Sequence, residues 1–213
     1  IWYTGVIRHA VQGDYGVKGG AGSPFAITDY YDVNPYLASR EAGRMKEFEA
    51  LVARTKAAGM EVILDFVPNH VSPSYRGTIR PFDACNFYPG RIHDGDWSDT
   101  VKLNYNDRDT WEKMRDILLF WAAKGVGGFR CDMVELVPVD FWHWCIPEVK
   151  KAYPGLIFIG EAYQPDNYRS YFDHGHFDYL YDKSGFYDTL KKIVRGEAPA
   201  SSLTAQWQEI GPY

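Results

Sequence analysis

Apolar positions along the chain recur with two different periods. Met45, Phe48, Leu51, Val52 and Thr55 repeat at three- and four-residue steps, with Gly59 just beyond as a stop, which predicts an amphipathic helix over residues 41–58. The short apolar run 61–67 then reads as a buried strand. A second helix is predicted from Asp109, where Asp109-x-x-Glu112 has the form of a capping box and Trp111, Met114, Leu118 and Trp121 share a face up to Gly125. It feeds a strand over 126–132. A third helix, about 138–153 with a bend expected at Pro147, precedes the apolar strand 156–161. Helix followed by apolar strand, three times over, is the pattern of a parallel sheet covered by helices, an α/β fold.

The remaining segments differ in character. The apolar run Ile1-Trp2-Tyr3-Thr4-Gly5-Val6-Ile7 reads as a core strand with no element before it and no initiator Met, so the chain is expected to be a piece of something longer. Residues 8–24, with Gly16, Gly19, Gly20 and Gly22, and residues 71–106, rich in Pro, Gly, Asp and aromatics, show little periodicity. Both read as long excursions from the top of the sheet, the kind of loop that carries function.

Composition narrows the partners. A net charge of −5 argues against a nucleic-acid surface, whose footprint is a basic stripe. Seven Trp and sixteen Tyr, whose rings pair an apolar body with a polar tip, fit sugar stacking as well as an ordinary core. No run is long and apolar enough for a spanning helix. Cys85, Cys131 and Cys145 have no CxxC spacing, so neither a zinc site nor a disulfide framework is expected.

Three predicted strands end in a carboxylate: Asp65, Asp132 and Glu161. In a (β/α) barrel, strand C-termini form the floor of the active site, and a charge at the rim of a core is costly unless paired or used. Asp132 and Glu161 stand one strand-helix repeat apart, which puts them on neighbouring strands. Two adjacent carboxyls suit a retaining glycosidase, one as nucleophile and one as acid and base. Arg130 projects from the same strand face as Asp132 and would hold it ionised. Two other readings stay open: an ion pair closing the barrel top, and a barrel enzyme using Asp65, Asp132 and Glu161 as oxygen ligands to a divalent metal.

These residues carry a family resemblance. Asp65-Phe66-Val67-Pro68-Asn69-His70, Gly128-Phe129-Arg130-Cys131-Asp132 and Phe158-Ile159-Gly160-Glu161, in this order, resemble the first three signature regions of the α-amylase family of glycoside hydrolases, family 13. Residues 23–35 resemble the family's loop after the second strand. The resemblance implies part of a (β/α)8 TIM barrel, about strands 2 to 6, with residues 71–106 as a domain B-like insertion after strand 3. It implies an α-linked glucan oligo- or polysaccharide as substrate and double displacement with Asp132 as nucleophile and Glu161 as acid/base. Arg130 matches the residue that orients the nucleophile, His70 a hydrogen-bond donor to the reacting sugar, and Asp65 a structural partner. Phe25 lies where the family usually carries a stacking Tyr.

The chain also departs from the family. No Asn-His-Asp occurs for the third catalytic carboxylate, which is expected beyond residue 213, and without it the fragment alone is expected to be inactive. Glu135-Leu136 stands where typical α-amylases carry Lys-His, which puts the acceptor side and one calcium ligand in doubt. No cofactor is required by this chemistry. Asn69 could supply one calcium oxygen, and Asp94, Asp96 and Asp99 read as a solvated acidic turn or as further ligands. His9, His93, His143, His174 and His176 show no ligand spacing. An amylase-like domain kept for glycan binding or assembly is the non-catalytic alternative.

Overall fold

The computed structural model describes residues 1–14, 17, 20 and 22–211; Gly16 and Gly19 of the glycine-rich segment lie outside the described residues. In chain order the elements are β1 (Trp2–Tyr3), β2 (Ile7–Ala10), β3 (Ser23–Val33), α1 (Arg44–Ala57), β4 (Ile63–Phe66), β5 (His70–Val71), β6 (Val101–Lys102), α2 (Arg108–Ala123) and β7 (Gly128–Cys131). They continue with α3 (Val139–Ala152), β8 (Ile157–Gly160), α4 (Pro165–Arg169), β9 (Tyr179–Leu180), α5 (Asp188–Val194) and α6 (Ser202–Ile210). β1, β4, β7, β8 and β9 form one parallel sheet in that order. Parallel neighbours joined by helices, with the strand order following the chain, make this part of a (β/α) barrel.

Register explains the two faces. Leu64, Phe129 and Phe158 align across β4, β7 and β8, as do Asp65, Arg130 and Ile159 one residue on. The first row turns toward the helices. Phe129 meets Phe66 and Phe158 at ring separations of 6.3 and 5.8 Å, and Phe66 meets Trp142 of α3 at 6.3 Å. Trp121 of α2 is fully buried, packs edge-on to Phe48 of α1 at 5.4 Å, and donates its indole N–H to the Tyr30 carbonyl at 2.8 Å. The second row faces the barrel interior and carries the polar groups.

The helices and strands lie where periodicity puts them, and α1 and α2 stop just before Gly59 and Gly125. α3 runs on through Pro147. Three local expectations are corrected. Residues 1–7 are not one strand: Gly5 adopts a left-handed φ of +67° and separates β1 from β2, which pairs antiparallel with β3. Residues 23–33 are an 11-residue strand rather than a loop, because Ile27, Tyr30, Tyr31 and Val33 of β3 are buried; the Tyr30 hydroxyl donates to the carbonyls of Val67 and His70. The α2 cap is Asp107, whose carboxylate accepts the Asp109 N–H at 2.9 Å, and Asp109 instead pairs with Lys113 at 2.7 Å.

Between β4 and α2 the chain forms an antiparallel pair of β5 with β6, a bridge from Phe87 to Leu103 and a short helical turn at Ala84–Asn86. Cys85 is exposed and Cys131 and Cys145 are buried, all as free thiols. Among the described residues no helix is long and apolar enough to cross a membrane.

Gly128 sits where β7 leaves no room for a side chain against β8. A methyl group there would run into the Ile157 carbonyl oxygen and lie 2.7 Å from the Ile63 side chain. Gly128→Ala is therefore expected to lower stability by about 1–3 kcal/mol, the usual range for overpacking, read as a fall in the urea midpoint. An unchanged midpoint would show that β7 and β8 separate without cost.

Candidate active site

Asp65, Arg130, Asp132 and Glu161 arrive at one place because β4, β7 and β8 end side by side. Arg130 is the hub. Its Nη1 lies 2.7 Å from Asp132 and 3.3 Å from Asp65, and its Nη2 lies 2.6 Å from Glu161. All four side chains are buried. A buried guanidinium and carboxylates are tolerable only because each neutralises the other. Asp65 also accepts the Thr4 hydroxyl at 2.6 Å, and Arg130 Nε donates to the Tyr181 hydroxyl at 3.3 Å. The rings of Trp2, Phe25 and Tyr181 surround the guanidinium at 5.4–5.5 Å from their centroids. The cation among these three carboxylates is the chain's own Arg130.

A cavity of about 560 Å³ opens above this cluster, and Phe25, His70, Trp97, Arg130, Asp132 and Glu161 line it. The β3 and β5–β6 segments provide its side walls. Trp97 stands edge-on to His70 with ring centroids 5.6 Å apart, and Asp99, which also lines the cavity, accepts the Ser23 hydroxyl at 2.8 Å. Phe25 is more than a third exposed there.

Electrostatics divides these groups. Burial pushes the Asp132 carboxyl up to about 7; Arg130 opposes this, and the neighbouring Glu161 carboxyl adds to it by charge and hydrogen bonding. Glu161 accepts the Met133 N–H at 3.0 Å and the Tyr163 hydroxyl at 2.7 Å. Burial lowers His70 to about 4, against the opposing charge of Asp94 and a Phe25 backbone hydrogen bond. The His70 ring is neutral at working pH. Asn69 Nδ2 lies 3.2 Å from its Nδ1, so donation from the amide leaves the ring proton on Nε2.

Asn69 sits beside the cavity. Its Nδ2 also donates to Asp94, while Asp94's other oxygen takes the Lys102 ammonium at 2.7 Å. Asn69 Oδ1 is buried without a hydrogen-bond partner. The expected acidic turn is thus resolved into separate tasks: Asp94 is ion-paired, and Asp99 lines the cavity. Of the other histidines, His9 is buried against Asn34, and His143, His174 and His176 stack at the surface.

Several contributors escaped the sequence reading. Tyr181 follows β9, a two-residue strand too short to show periodicity, and Thr4 and Met133 act through positions that no motif marks. Tyr163 is two residues beyond Glu161, and that spacing was the one available signal.

A parallel (β/α) barrel with an acidic cleft at its strand ends defines the class, and likeness to known proteins gives the family. Residues 11–88 match the family profile "Alpha amylase, catalytic domain". The chain is 32% identical over 155 residues to the α-1,4-glucan:maltose-1-phosphate maltosyltransferase of Rhodospirillum rubrum, covering 67% of this chain and 22% of that protein. It is 34% identical to the enzyme of the same name from Cereibacter sphaeroides, covering 67% and 25%. The crystal structure of an α-amylase from Lactobacillus plantarum superposes with a TM-score of 0.81 at 30% identity, over 97% of this chain and 50% of that one. An α-amylase from Geobacillus thermoleovorans, complexed with acarbose, gives 0.78 at 25% identity, over 98% and 46%. The chain belongs to the α-amylase family of glycoside hydrolases. It spans a quarter or less of the maltosyltransferases' length and about half that of the amylases.

Asp132 and His70 pull stability in opposite directions. A carboxyl raised from 3.8 to about 7 favours the fold at low pH, and that contribution is lost as pH rises through about 7. A histidine lowered from 6.5 to about 4 favours the fold above 6.5 and loses its contribution as pH falls toward about 4. Asp132→Asn removes the first alone. Relative to wild type, the variant is expected to gain a few kcal/mol in urea unfolding as pH rises from about 4 to about 7, at roughly 1.4 kcal/mol for each pH unit crossed. A pH-independent difference would refute the raised carboxyl.

Proposed function

We propose that the protein containing this chain cleaves or transfers α-glucosidic linkages with retention of configuration. Asp132 is the nucleophile and Glu161 the acid/base. The observation that carries this reading is that both carboxyls, on adjacent parallel strands, share one guanidinium on the wall of one cavity. In the first step an Asp132 oxygen bonds the anomeric carbon as the glycosidic bond breaks, and the Glu161 proton goes to the departing oxygen. In the second, Glu161 takes a proton from water or from an acceptor hydroxyl, whose oxygen displaces Asp132. This division of roles needs a proton on Glu161 and none on Asp132 at the moment of attack. Arg130 lies against both carboxyls, so it is the positive charge building at the anomeric carbon that favours an ionised Asp132.

The α-glucan class is supported by the family and by its amylase and maltosyltransferase relatives. The cavity chemistry agrees with a neutral polyol: aromatic faces at Phe25 and Trp97, and a neutral His70 in the lining. Asp65 holds Arg130 from behind, anchored by Thr4. In the complete protein, Asp132→Asn and Glu161→Gln are each expected to cut α-glucan turnover about a thousandfold while glucan binding persists. Proton NMR of the first-formed product should show the α-anomer; the β-anomer, or wild-type turnover in either variant, would overturn the reading.

We also infer that Lys102, rather than calcium, supplies the cation beside the cavity. A calcium shell takes six or more oxygens. Here Asn69 offers one free oxygen, and Asp94 is already neutralised by Lys102. Among the described residues no group of three or more acidic, His or Cys side chains is arranged to hold a metal. The thermal midpoint should be insensitive to EDTA, whereas Lys102→Met, which leaves Asp94 with the Asn69 amide alone, should cost about 1 kcal/mol. A midpoint that EDTA lowers and calcium restores would reverse this assignment.

A further inference from the structure

Glu135 stands three residues beyond Asp132, in the short helical turn Val134–Leu136 that follows β7, and its carboxylate points at the loop after β8 rather than at the cavity. One oxygen accepts the Tyr163 N–H at 2.7 Å; the other accepts the Gln164 N–H at 3.2 Å and the Asn167 amide at 2.8 Å. These donors open α4, so Glu135 organises the segment that carries Tyr163. The Tyr163 hydroxyl returns toward β8 and donates to Glu161 Oε1 at 2.7 Å. Ser184 fixes the same residue from the other side through the Tyr163 carbonyl at 2.6 Å.

The tie runs both ways. The Met133 N–H donates to Glu161 Oε2 at 3.0 Å, and the Val134 N–H donates to the Glu161 carbonyl at 3.2 Å. Met133 has a φ of +44°, a left-handed conformation that costs a non-glycine residue roughly 1 kcal/mol or more, and the turn it makes accompanies the amide's contact with Glu161. The loop after β7 therefore holds the Glu161 carboxyl, and the loop after β8 is held by the Glu135 carboxyl.

We propose that Glu135 and Tyr163 are positioning residues: Glu135 fixes the loop, and through it the Tyr163 hydroxyl orients Glu161 and favours its ionised form. The proposal rests on the reading of Glu161 as acid/base. A hydroxyl donating to a carboxylate stabilises the anion, which keeps the base competent for the second half-reaction and limits how far its acid form persists at high pH. The charged and titratable groups facing Glu161 are Arg130 and Asp132 from β7, Tyr181 after β9, and Tyr163 itself, over whose ring Lys183 lies at 5.8 Å.

The test is the pH profile of kcat/KM on an α-glucan in the complete protein. Tyr163→Phe removes the donor and keeps the ring. It should move the alkaline limb up by about one pH unit, the worth of a hydrogen bond to a charged group. Glu135→Ala should lower kcat about tenfold with little change in KM, and Glu135→Gln, which keeps an acceptor oxygen for the Tyr163 amide, should recover most of it. An alkaline limb unmoved in Tyr163→Phe, or wild-type kcat in Glu135→Ala, overturns the positioning role. Thermal midpoints taken alongside separate this from a packing loss, which would lower kcat without moving the limb and so would also overturn it. Glu161→Gln distinguishes the parent reading: retained turnover there rejects Glu161 as acid/base, whereas an inactive Glu161→Gln with an unmoved Tyr163→Phe limb rejects only the positioning role.

Discussion

One guanidinium among three carboxylates is the interaction on which the cleft depends. Arg130 contacts Asp65, Asp132 and Glu161 at 3.3, 2.7 and 2.6 Å, each from a different strand. Without it, three acids would be left to repel one another at the rim of an apolar sheet, and protonation would be their only relief. With it, the site retains a net negative charge and a proton held near neutrality. That is the electrostatic condition for chemistry that needs one carboxyl ionised and its neighbour protonated.

The sheet makes this contact possible through register. Leu64, Phe129 and Phe158 form an apolar row against the helices, and the parallel pairing that aligns them also aligns Asp65 with Arg130 on the opposite face. A slip of one residue in either strand would exchange the faces and bury the acids against Trp142. The close approach at Gly128 belongs to the same arrangement, since a side chain there would push β7 and β8 apart below the cluster. Packing on one face thus sets the charge geometry on the other.

The segments above the sheet turn this cluster into a cavity. Tyr30 of β3 ties to the carbonyls of Val67 and His70, Asn69 orients the His70 ring, and Trp97 leans on it. Asp94 and Lys102 hold the base of that wall as an ion pair. On the far side, Glu135 and Met133 join the loops after β7 and β8. Each wall is fixed by hydrogen bonds made over long stretches of chain, while the floor is fixed by neighbouring strands.

Much of this was legible in the linear chain, for a physical reason. A charge within or just after a short apolar run stands out because the core on which the strand rests is uniform, so Asp65, Arg130, Asp132 and Glu161 mark the strand ends by contrast. Helix period and glycine stops are equally local, and the three main helices lie where they predict. Tertiary structure alone decided the rest. That residues 1–7 divide between two sheets depends on which partner each half meets, and Asp107 rather than Asp109 caps α2 because Lys113 claims Asp109. Lys102 and Asp94 become a pair, and Glu135 a clamp on the loop of Tyr163, only once β6 and α4 are folded beside them. Sequence determines what each residue can do with its neighbours in the chain; which distant donor meets which distant acceptor is set by the closure of the sheet, whose long-range pairings no local period encodes.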